Sequence, residues 1–241
     1  MNNCNFIVFA QARSGSTLLR KSLHSETEVI CHGEVLSRKW INGLVPVNEP
    51  KAFRSSEAFT RKLMDTRDSN LEAFLDSYIF NFGDQSIGFK IVYEDFFLGP
   101  HKDAIVSYIQ SRQLKVIHLR RLNFLAALTS RKRMAKFGIS HSDSTIKSEI
   151  PQKFNIPEKE VRNYIIRQIG FTNDLDYQFP DSLKIDYEGL TEQYDSVLSH
   201  LGISRPGDLK ITLEKVTPSD LSEVVGNYSE VSHYDAPRLR K

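Results

Sequence analysis

The chain alternates short apolar runs with amphipathic segments, and this alternation limits it to a few architectures. We predict that the apolar runs are strands and that the segments after most of them are helices. The predicted strands are residues 6–10, 29–32, 86–92, 114–119 and 182–187. Strands that alternate with helices favour a parallel sheet whose crossover helices cover both faces. We therefore predict a three-layer α/β fold with a central, mostly parallel sheet of about five strands.

Length and composition narrow the class of protein further. The 241 residues are enough to bury a continuous core, and no repeat or linker divides them, so we predict a single domain over residues 1–241. The formal net charge of +2 does not favour nucleic-acid binding, so any anion site must be local. No apolar stretch approaches the roughly 20 residues of a membrane helix, and the N-terminus lacks a signal-peptide layout. We therefore expect a cytoplasmic protein with no membrane insertion.

The turn after the first predicted strand has the composition of an anion-binding loop. Residues 11–18 read QARSGSTL, and they lead directly into a predicted helix. Small residues at 14–17 let backbone N–H groups and hydroxyls close around an anion, and the helix dipole favours negative charge there. Arg13 adds a planar guanidinium that can bind two oxygens. The alternative interpretation is an ordinary strand-to-helix turn with a Ser or Thr cap.

The same turn lacks the patterns of the common nucleotide-binding loops. An ATP-binding loop of the GxxxxGK[ST] type needs a lysine after its second glycine, whereas here Gly15 is followed by Ser16. A dinucleotide-binding GxGxxG turn is also absent, because Gly15 is the only glycine of the segment. These differences weaken the kinase and dehydrogenase interpretations.

A second basic stretch follows the fourth predicted strand. Residues 115–130 read KVIHLRRLNFLAALTS, with two arginines at the strand end, Asn123 as the predicted helix cap, and Ser130 within the helix. A guanidinium at a strand end and a hydroxyl on the next helix can converge on one phosphate. Arg121 is the first choice for this role, and Arg120 takes it if the strand register shifts by one. The alternative is a solvated basic pair at the sheet edge.

Together the two stretches resemble the two signatures of the PAPS-dependent sulfotransferases. The wording RSGSTLL and the spacing from Arg121 to Ser130 look like the bacterial carbohydrate branch, which includes Nod-factor and trehalose sulfotransferases. The resemblance implies a P-loop-like fold, with 3′-phosphoadenylyl sulfate (PAPS) as co-substrate and PAP as product. It implies that Arg121 and Ser130 bind the 3′-phosphate. It implies that the 5′-phosphosulfate is held by Arg13, Ser14, Gly15, Ser16, Thr17 and Leu18.

The residue that accepts the proton of the acceptor hydroxyl is left open between two candidates. Glu34 is the first, because a glutamate in this region is regarded as the base of the trehalose-type branch. His32 is the second, because its unperturbed pKa of about 6.5 suits a general base and the cytosolic enzymes use histidine. Lys90 either points toward the acceptor or ends a strand. Trp40 is expected in the core, with packing against adenine or the acceptor as the alternative. No metal-ligand cluster is visible in the sequence, and we expect no metal cofactor.

We therefore expect a sulfotransferase that acts on a hydroxyl of a small-molecule or glycan acceptor. The resemblance to the carbohydrate branch implies that this acceptor is a carbohydrate or a glycolipid-like molecule. Two other functions stay open. One is a nucleotide-dependent phosphotransferase that uses magnesium. The other is a nucleotide-binding protein without turnover. The polar segment 138–157 is expected to be a surface excursion, and the last basic residues, Arg238, Arg240 and Lys241, either contact the 3′-phosphate or form a basic tail.

Overall fold

The five predicted strands form one parallel sheet in a computed structural model, which describes residues 4–45, 56–81, 83–137, 153–203 and 217–236. The strands are β1 (Phe6–Ala10), β2 (Val29–His32), β3 (Ser86–Val92), β4 (Lys115–Arg120) and β5 (Leu183–Asp186). Their order in the sheet is β2-β3-β1-β4-β5, and all neighbours run parallel. The predicted fold class is confirmed. The turn after β1 therefore lies in the middle of the carboxyl edge, where ligands bind in such sheets.

Strand β1 is central because both of its faces are apolar. Ile7 and Phe9 belong to one core cluster, whereas Phe6, Val8 and Ala10 belong to another. All five residues are buried. A parallel strand covered on both sides needs such a continuous apolar run, since each face packs against its own layer of helices.

Helices cover both faces of the sheet. They are α1 (Ser16–His24), α2 (Glu57–Ser69), α3 (Leu71–Phe74), α4 (Tyr93–Phe97), α5 (Lys102–Arg112), α6 (Phe124–Phe137), α7 (Glu158–Gln178), α8 (Tyr194–His200) and α9 (Tyr228–Val231). Buried side chains of α2, α3 and α5 lie in the first core cluster. Those of α1 and α8 lie in the second, on the opposite face. This arrangement gives the three predicted layers.

A third apolar cluster joins α6 and α7 to the C-terminal residues 217–236. The Asn227 side chain fastens the chain that leads into α7, because its Oδ1 accepts the Ile156 N–H at 2.9 Å and its Nδ2 donates to the Ile156 carbonyl at 3.0 Å. Of the predicted excursion 138–157, residues 138–152 lie outside the described residues, as do Arg238, Arg240 and Lys241. Those predictions remain untested.

Two helices differ from the sequence pattern. Apolar residues at helical spacing predict a helix near residues 70–82, and the structure forms α3 there, followed by a π-helical turn, Leu75–Ile79. After β5, the pattern predicts one long helix, but the chain forms a 3₁₀ turn, Tyr187–Gly189, before α8. Among the described residues, no helix is both long and apolar enough to cross a bilayer.

Candidate active site at the carboxyl edge of the sheet

The loop between β1 and α1 has an unusual backbone that only certain residues tolerate. Arg13 and Gly15 have left-handed φ angles of 67° and 76°. A Cβ atom at Gly15 would overlap the Tyr187 ring, so glycine is required there both by backbone conformation and by space. Gly15 caps α1 without a side-chain hydrogen bond, which leaves the first N–H groups of the helix without that kind of partner. The loop thus presents backbone donors at a helix N-terminus.

The structure brings the two predicted phosphate-binding stretches together. Arg13 Nε donates to Ser130 Oγ at 3.0 Å, and Arg121 donates from its guanidinium to the Arg13 carbonyl at 2.7 Å. The Arg121 guanidinium also lies over the Tyr187 ring, 4.8 Å from its centroid. Loop, strand end and helix are therefore parts of one cluster.

The two arginines hold positive charge in a partly buried place. Burial lowers the pKa of the Arg13 guanidinium, and the neighbouring charge of Arg121 lowers it further. Burial also lowers the pKa of Arg121. An anion bound between the two guanidiniums would offset the desolvation of each charge and the repulsion between the two charges.

Two buried polar atoms of the cluster have no hydrogen-bond partner among the described residues. They are Ser14 Oγ and Arg121 Nε. Buried polar groups without a partner are uncommon in native structures, and a bound ligand is one way to satisfy them. Both atoms belong to residues that the sequence predicted to contact the nucleotide.

On the other side of the loop, Lys90 connects β3 to Glu34. Lys90 Nζ lies 2.8 Å from Glu34 Oε1. It also donates to Thr17 Oγ1 at 3.0 Å and Ser16 Oγ at 3.4 Å. The Lys90 side chain is only 7% exposed, whereas that of Glu34 is 28% exposed. A buried cation thus holds a solvent-accessible carboxylate beside the anion loop.

A tight loop fixes the position of Glu34. The Gly33 N–H donates to the Gly43 carbonyl at 2.8 Å, and the Asn42 N–H donates to the Glu34 carbonyl at 3.2 Å. Gly33 has no room for a side chain, because a Cβ atom would overlap the Asn42 carbonyl oxygen. The two ends of the 33–43 loop are therefore in contact, and Glu34 is anchored next to the end of β2.

His32 is placed differently from the expectation that made it the second candidate base. The ring is fully buried. Nδ1 accepts the Val45 N–H at 3.0 Å, so the other nitrogen carries the hydrogen and donates to the Ile79 carbonyl at 3.2 Å. Burial lowers the pKa of His32 to about 4. Both ring nitrogens are occupied, and this geometry argues against His32 as the base.

The two adjacent arginines after β4 have separate roles. Arg120 Nε donates to Asp186 Oδ1 at 2.8 Å, across the β4–β5 pair in which these two residues are partners in register. Arg121 instead reaches the β1–α1 loop. The geometry favours Arg121 over Arg120 as the residue that contacts an anion there.

Helix α6 begins with two caps, of which only one was predicted. The Asn123 side chain accepts the Ala126 N–H at 2.9 Å, in agreement with the predicted cap. Glu188, which was not predicted, accepts the N–H groups of Leu122 and Asn123 at 3.1 and 2.9 Å. Glu188 and Tyr187 both belong to the turn after β5. The sequence YEG at residues 187–189 was therefore the signal that could have identified these two residues.

Trp40 and His118 both lie outside this cluster. Trp40 was expected in the core, but it is 58% exposed, so that expectation is wrong. His118 is fully buried and hydrogen-bonds Tyr93 Oη and, at 2.8 Å, Asp176 Oδ1. It is thus a buried, hydrogen-bonded residue, as its position within a strand indicates.

Among the described residues, no three His, Cys, Asp or Glu side chains are grouped like metal ligands.

Comparisons with known proteins yield solved structures but no family. No family model matches the chain, and no curated protein matches it. A sulfotransferase from Alicyclobacillus acidocaldarius aligns with a TM-score of 0.49 and 15% identity, over 98% of this chain and 93% of that chain. A mouse sulfotransferase complexed with PAP aligns with a TM-score of 0.40 and 9% identity, over 86% of this chain and 60% of that chain. A sugar kinase from Janibacter sp. HTCC2649 aligns with a TM-score of 0.34 and 16% identity, over 84% of this chain and 96% of that chain.

Proposed function

We propose that this protein is a sulfotransferase that moves a sulfuryl group from PAPS to a hydroxyl group of an acceptor. One observation carries the proposal: Arg13, Lys90 and Arg121 converge on a helix-capping loop of small residues. A ligand with a single phosphate needs only the loop and one cation. A second guanidinium from the neighbouring strand suits a nucleotide with a second, separate phosphate group.

The donor set fits PAPS. Loop residues 13–18 would hold the 5′-phosphosulfate, while Arg121 and Ser130 would hold the 3′-phosphate. Ser130 Oγ accepts a hydrogen bond from Arg13, so its own hydroxyl hydrogen can be donated to a phosphate oxygen. The ligand would also satisfy Ser14 Oγ and Arg121 Nε, which have no partner among the described residues. When bound, PAPS supplies the sulfuryl group and leaves as PAP.

Glu34 is the proposed general base. Its carboxylate is partly exposed, so an acceptor hydroxyl can reach it, and Lys90 holds it beside the loop. Glu34 takes the proton from the acceptor oxygen as that oxygen attacks sulfur. Arg13 and Lys90 stabilise negative charge at the loop, where the departing phosphate gains it. These roles need no residue beyond those already placed at the carboxyl edge.

The acceptor is proposed to be a carbohydrate or a glycolipid-like molecule, on the strength of the sequence resemblance alone. The direct test is incubation with PAPS labelled in its sulfuryl group and a panel of mono- and oligosaccharides and glycolipids. We expect label to appear in at least one acceptor, with PAP as the other product. Binding of PAP without label transfer would support the nucleotide-binding protein without turnover. Phosphate transfer from ATP that is lost on chelation of magnesium would support the phosphotransferase.

A further inference from the structure

A basic groove lies between α6 and α7, outside the cluster proposed to hold PAPS. Its volume is about 900 Å³. Its lining includes five cationic side chains, namely Arg131, Lys132, Lys136, Lys159 and Arg167. Glu160 is the only carboxylate among the described lining residues. Since the whole chain carries a net charge of only +2, the groove concentrates positive charge locally.

Two of the five cations have carboxylate partners. Arg131 pairs with Glu94 and Lys132 pairs with Glu160. Lys136, Lys159 and Arg167 form no ion pair with any carboxylate in the described part of the chain. The groove therefore carries positive charge that no acid among the described residues neutralises.

Aromatic rings support two of these unpaired cations. Lys136 Nζ lies 5.3 and 6.0 Å from the ring centroids of Phe137 and Phe154. The Arg167 guanidinium lies 6.0 Å from the Tyr164 ring centroid. A cation held over an aromatic face keeps its charged group at the surface of the groove. Cationic side chains above aromatic rings suit a ligand that carries acidic groups on an organic scaffold with apolar faces.

Side-chain contacts connect the inner end of the groove to the candidate active site. Tyr164 lines the groove, and its hydroxyl accepts a hydrogen bond from Gln11 Nε2 at 2.9 Å, directly before the anion loop. Arg131 pairs with Glu94, which follows β3 and is nine-tenths buried, with Oε2 lacking a partner among the described residues. Burial raises the pKa of the neighbouring carboxyl of Asp95, and the charge of Glu34 adds to this rise. Arg131 of the groove thus pairs with Glu94, and the next residue, Asp95, lies within electrostatic range of the proposed base.

We infer that the α6–α7 groove binds an acidic group of the acceptor, so that the acceptor is an anionic molecule whose carboxylate, sulfate or phosphate lies among Lys136, Lys159 and Arg167. The identification of this ligand as the acceptor rests on the proposed function. The binding of the anion does not depend on it. Along α6, Arg131 and Lys136 are separated by about 7.5 Å of helix rise, so a disaccharide can reach from one end of the groove toward the other.

The test is a binding measurement that needs no turnover. A fluorescein-labelled disulfated disaccharide, and the same disaccharide without sulfate, are titrated with the protein and followed by fluorescence anisotropy. The groove variant is Lys136→Gln with Lys159→Gln. The control variant is Arg61→Gln with Lys62→Gln, which removes the same charge from exposed positions of α2. PAP binding is measured on all three proteins by calorimetry.

We expect the groove variant to bind the sulfated probe at least about tenfold more weakly than the wild type, because charge-assisted contacts are lost. The control variant should change this affinity less than about twofold, since Arg61 and Lys62 are exposed residues of α2 that do not line the groove, and salt screens such charges. The unsulfated probe should bind weakly to all three proteins, and PAP affinity should stay the same in all three. Equal thermal midpoints would show that the variants are folded.

Three results would overturn the inference. Wild-type affinity of the groove variant for the sulfated probe would mean that the groove is not the site. Equal losses in both variants would mean that only net charge matters. Equally tight binding of a labelled single-stranded oligonucleotide of the same charge would mean that the groove attracts any polyanion. Failure of the proposed function gives a separate signature, in which PAP does not bind while the sulfated probe still binds through the groove.

Discussion

Two ion pairs lie on opposite sides of β1, and they have nearly the same chemistry. Lys90 and Glu34 connect β3 to the end of β2, and Arg120 and Asp186 connect β4 to β5, each at 2.8 Å. Only the Lys90 pair also contacts the anion loop, through the hydroxyls of Thr17 and Ser16. Lys90 therefore belongs to the candidate site because its ammonium also reaches the loop hydroxyls, whereas Arg120 joins only two strands.

The two pairs also differ in accessibility in a way that fits separate roles. The Lys90 side chain is 7% exposed while its carboxylate partner is 28% exposed, so the acid faces solvent and the cation is buried. In the other pair, both side chains have similar exposure, 19% for Arg120 and 24% for Asp186. A partly exposed carboxylate on a buried cation can meet a substrate. A balanced pair between two strands mainly joins them.

The largest expected difference between the pairs is in turnover. Glu34→Gln should lower turnover by roughly 10² to 10⁴, because loss of a general base costs this much. Asp186→Asn removes the corresponding carboxylate of the other pair and should leave turnover nearly unchanged. Both variants are assayed by transfer of labelled sulfuryl groups from PAPS, with PAP affinity measured alongside. Equal turnover in the two variants would reject Glu34 as the base.

The β2 side should also show a change of stability with pH, because His32 is buried there. The pKa of His32 is about 4 in the folded protein, below the unfolded value of about 6.5, so its contribution to stability is present above pH 6.5 and is lost as the pH falls toward 4. The loss is on the order of 2 to 3 kcal/mol. Denaturant unfolding of the wild type and His32→Asn across this pH window measures it. We expect a flatter pH dependence in the variant, and parallel curves would contradict the buried, neutral His32.

The cations of the two pairs should differ in nucleotide binding. Lys90→Met removes hydrogen bonds to the loop and leaves Glu34 unpaired beside it, so PAP affinity should fall by about 2 kcal/mol. Arg120→Met should change PAP affinity by less than about 0.5 kcal/mol, since its partner is on the neighbouring strand. Calorimetric titration of both variants with PAP gives the two values. A similar loss in both would remove the distinction between the pairs.

A smaller change is expected at Arg121, next to Arg120 in sequence. Arg121→Lys keeps the charge but loses the planar contact with the Tyr187 ring and the fixed donor geometry, so PAP affinity should fall by about 1 kcal/mol. Arg120→Lys is the matched control, with little expected effect on PAP binding. If Arg120→Lys weakens PAP binding more than Arg121→Lys does, the roles of the two arginines are reversed.

The sheet and the anion loop could be predicted from local sequence. Each strand is a short apolar run, and the loop residues 13–18 follow one another, so a single stretch holds the signal. The pairing of Lys90 with Glu34 could not be predicted, because it depends on the β2–β3 register, in which His32 lies opposite Phe89. No local pattern encodes that register. The sequence left open whether Lys90 points toward the acceptor or ends a strand.

The expectations that were wrong or missed share a physical cause. Trp40 was expected in the core because large apolar side chains are mostly buried, but it lies in the tight loop that begins at Gly33 and is largely exposed. Tyr187 and Glu188 were not assigned to the site, since their contacts with Gly15 and with the start of α6 depend on the long-range pairing of β4 with β5. Local sequence indicates what a residue can do, and long-range packing decides which neighbour it meets.

The most direct measurement is calorimetric titration of the wild-type protein with PAP and, separately, with ATP and magnesium. PAP carries phosphates at both the 3′ and 5′ positions, which Arg121 and Arg13 respectively are proposed to bind. We predict that PAP binds and that ATP binds at least about tenfold more weakly, because ATP has no 3′-phosphate to contact Arg121. Tight binding of ATP without binding of PAP would contradict the proposed two-phosphate site.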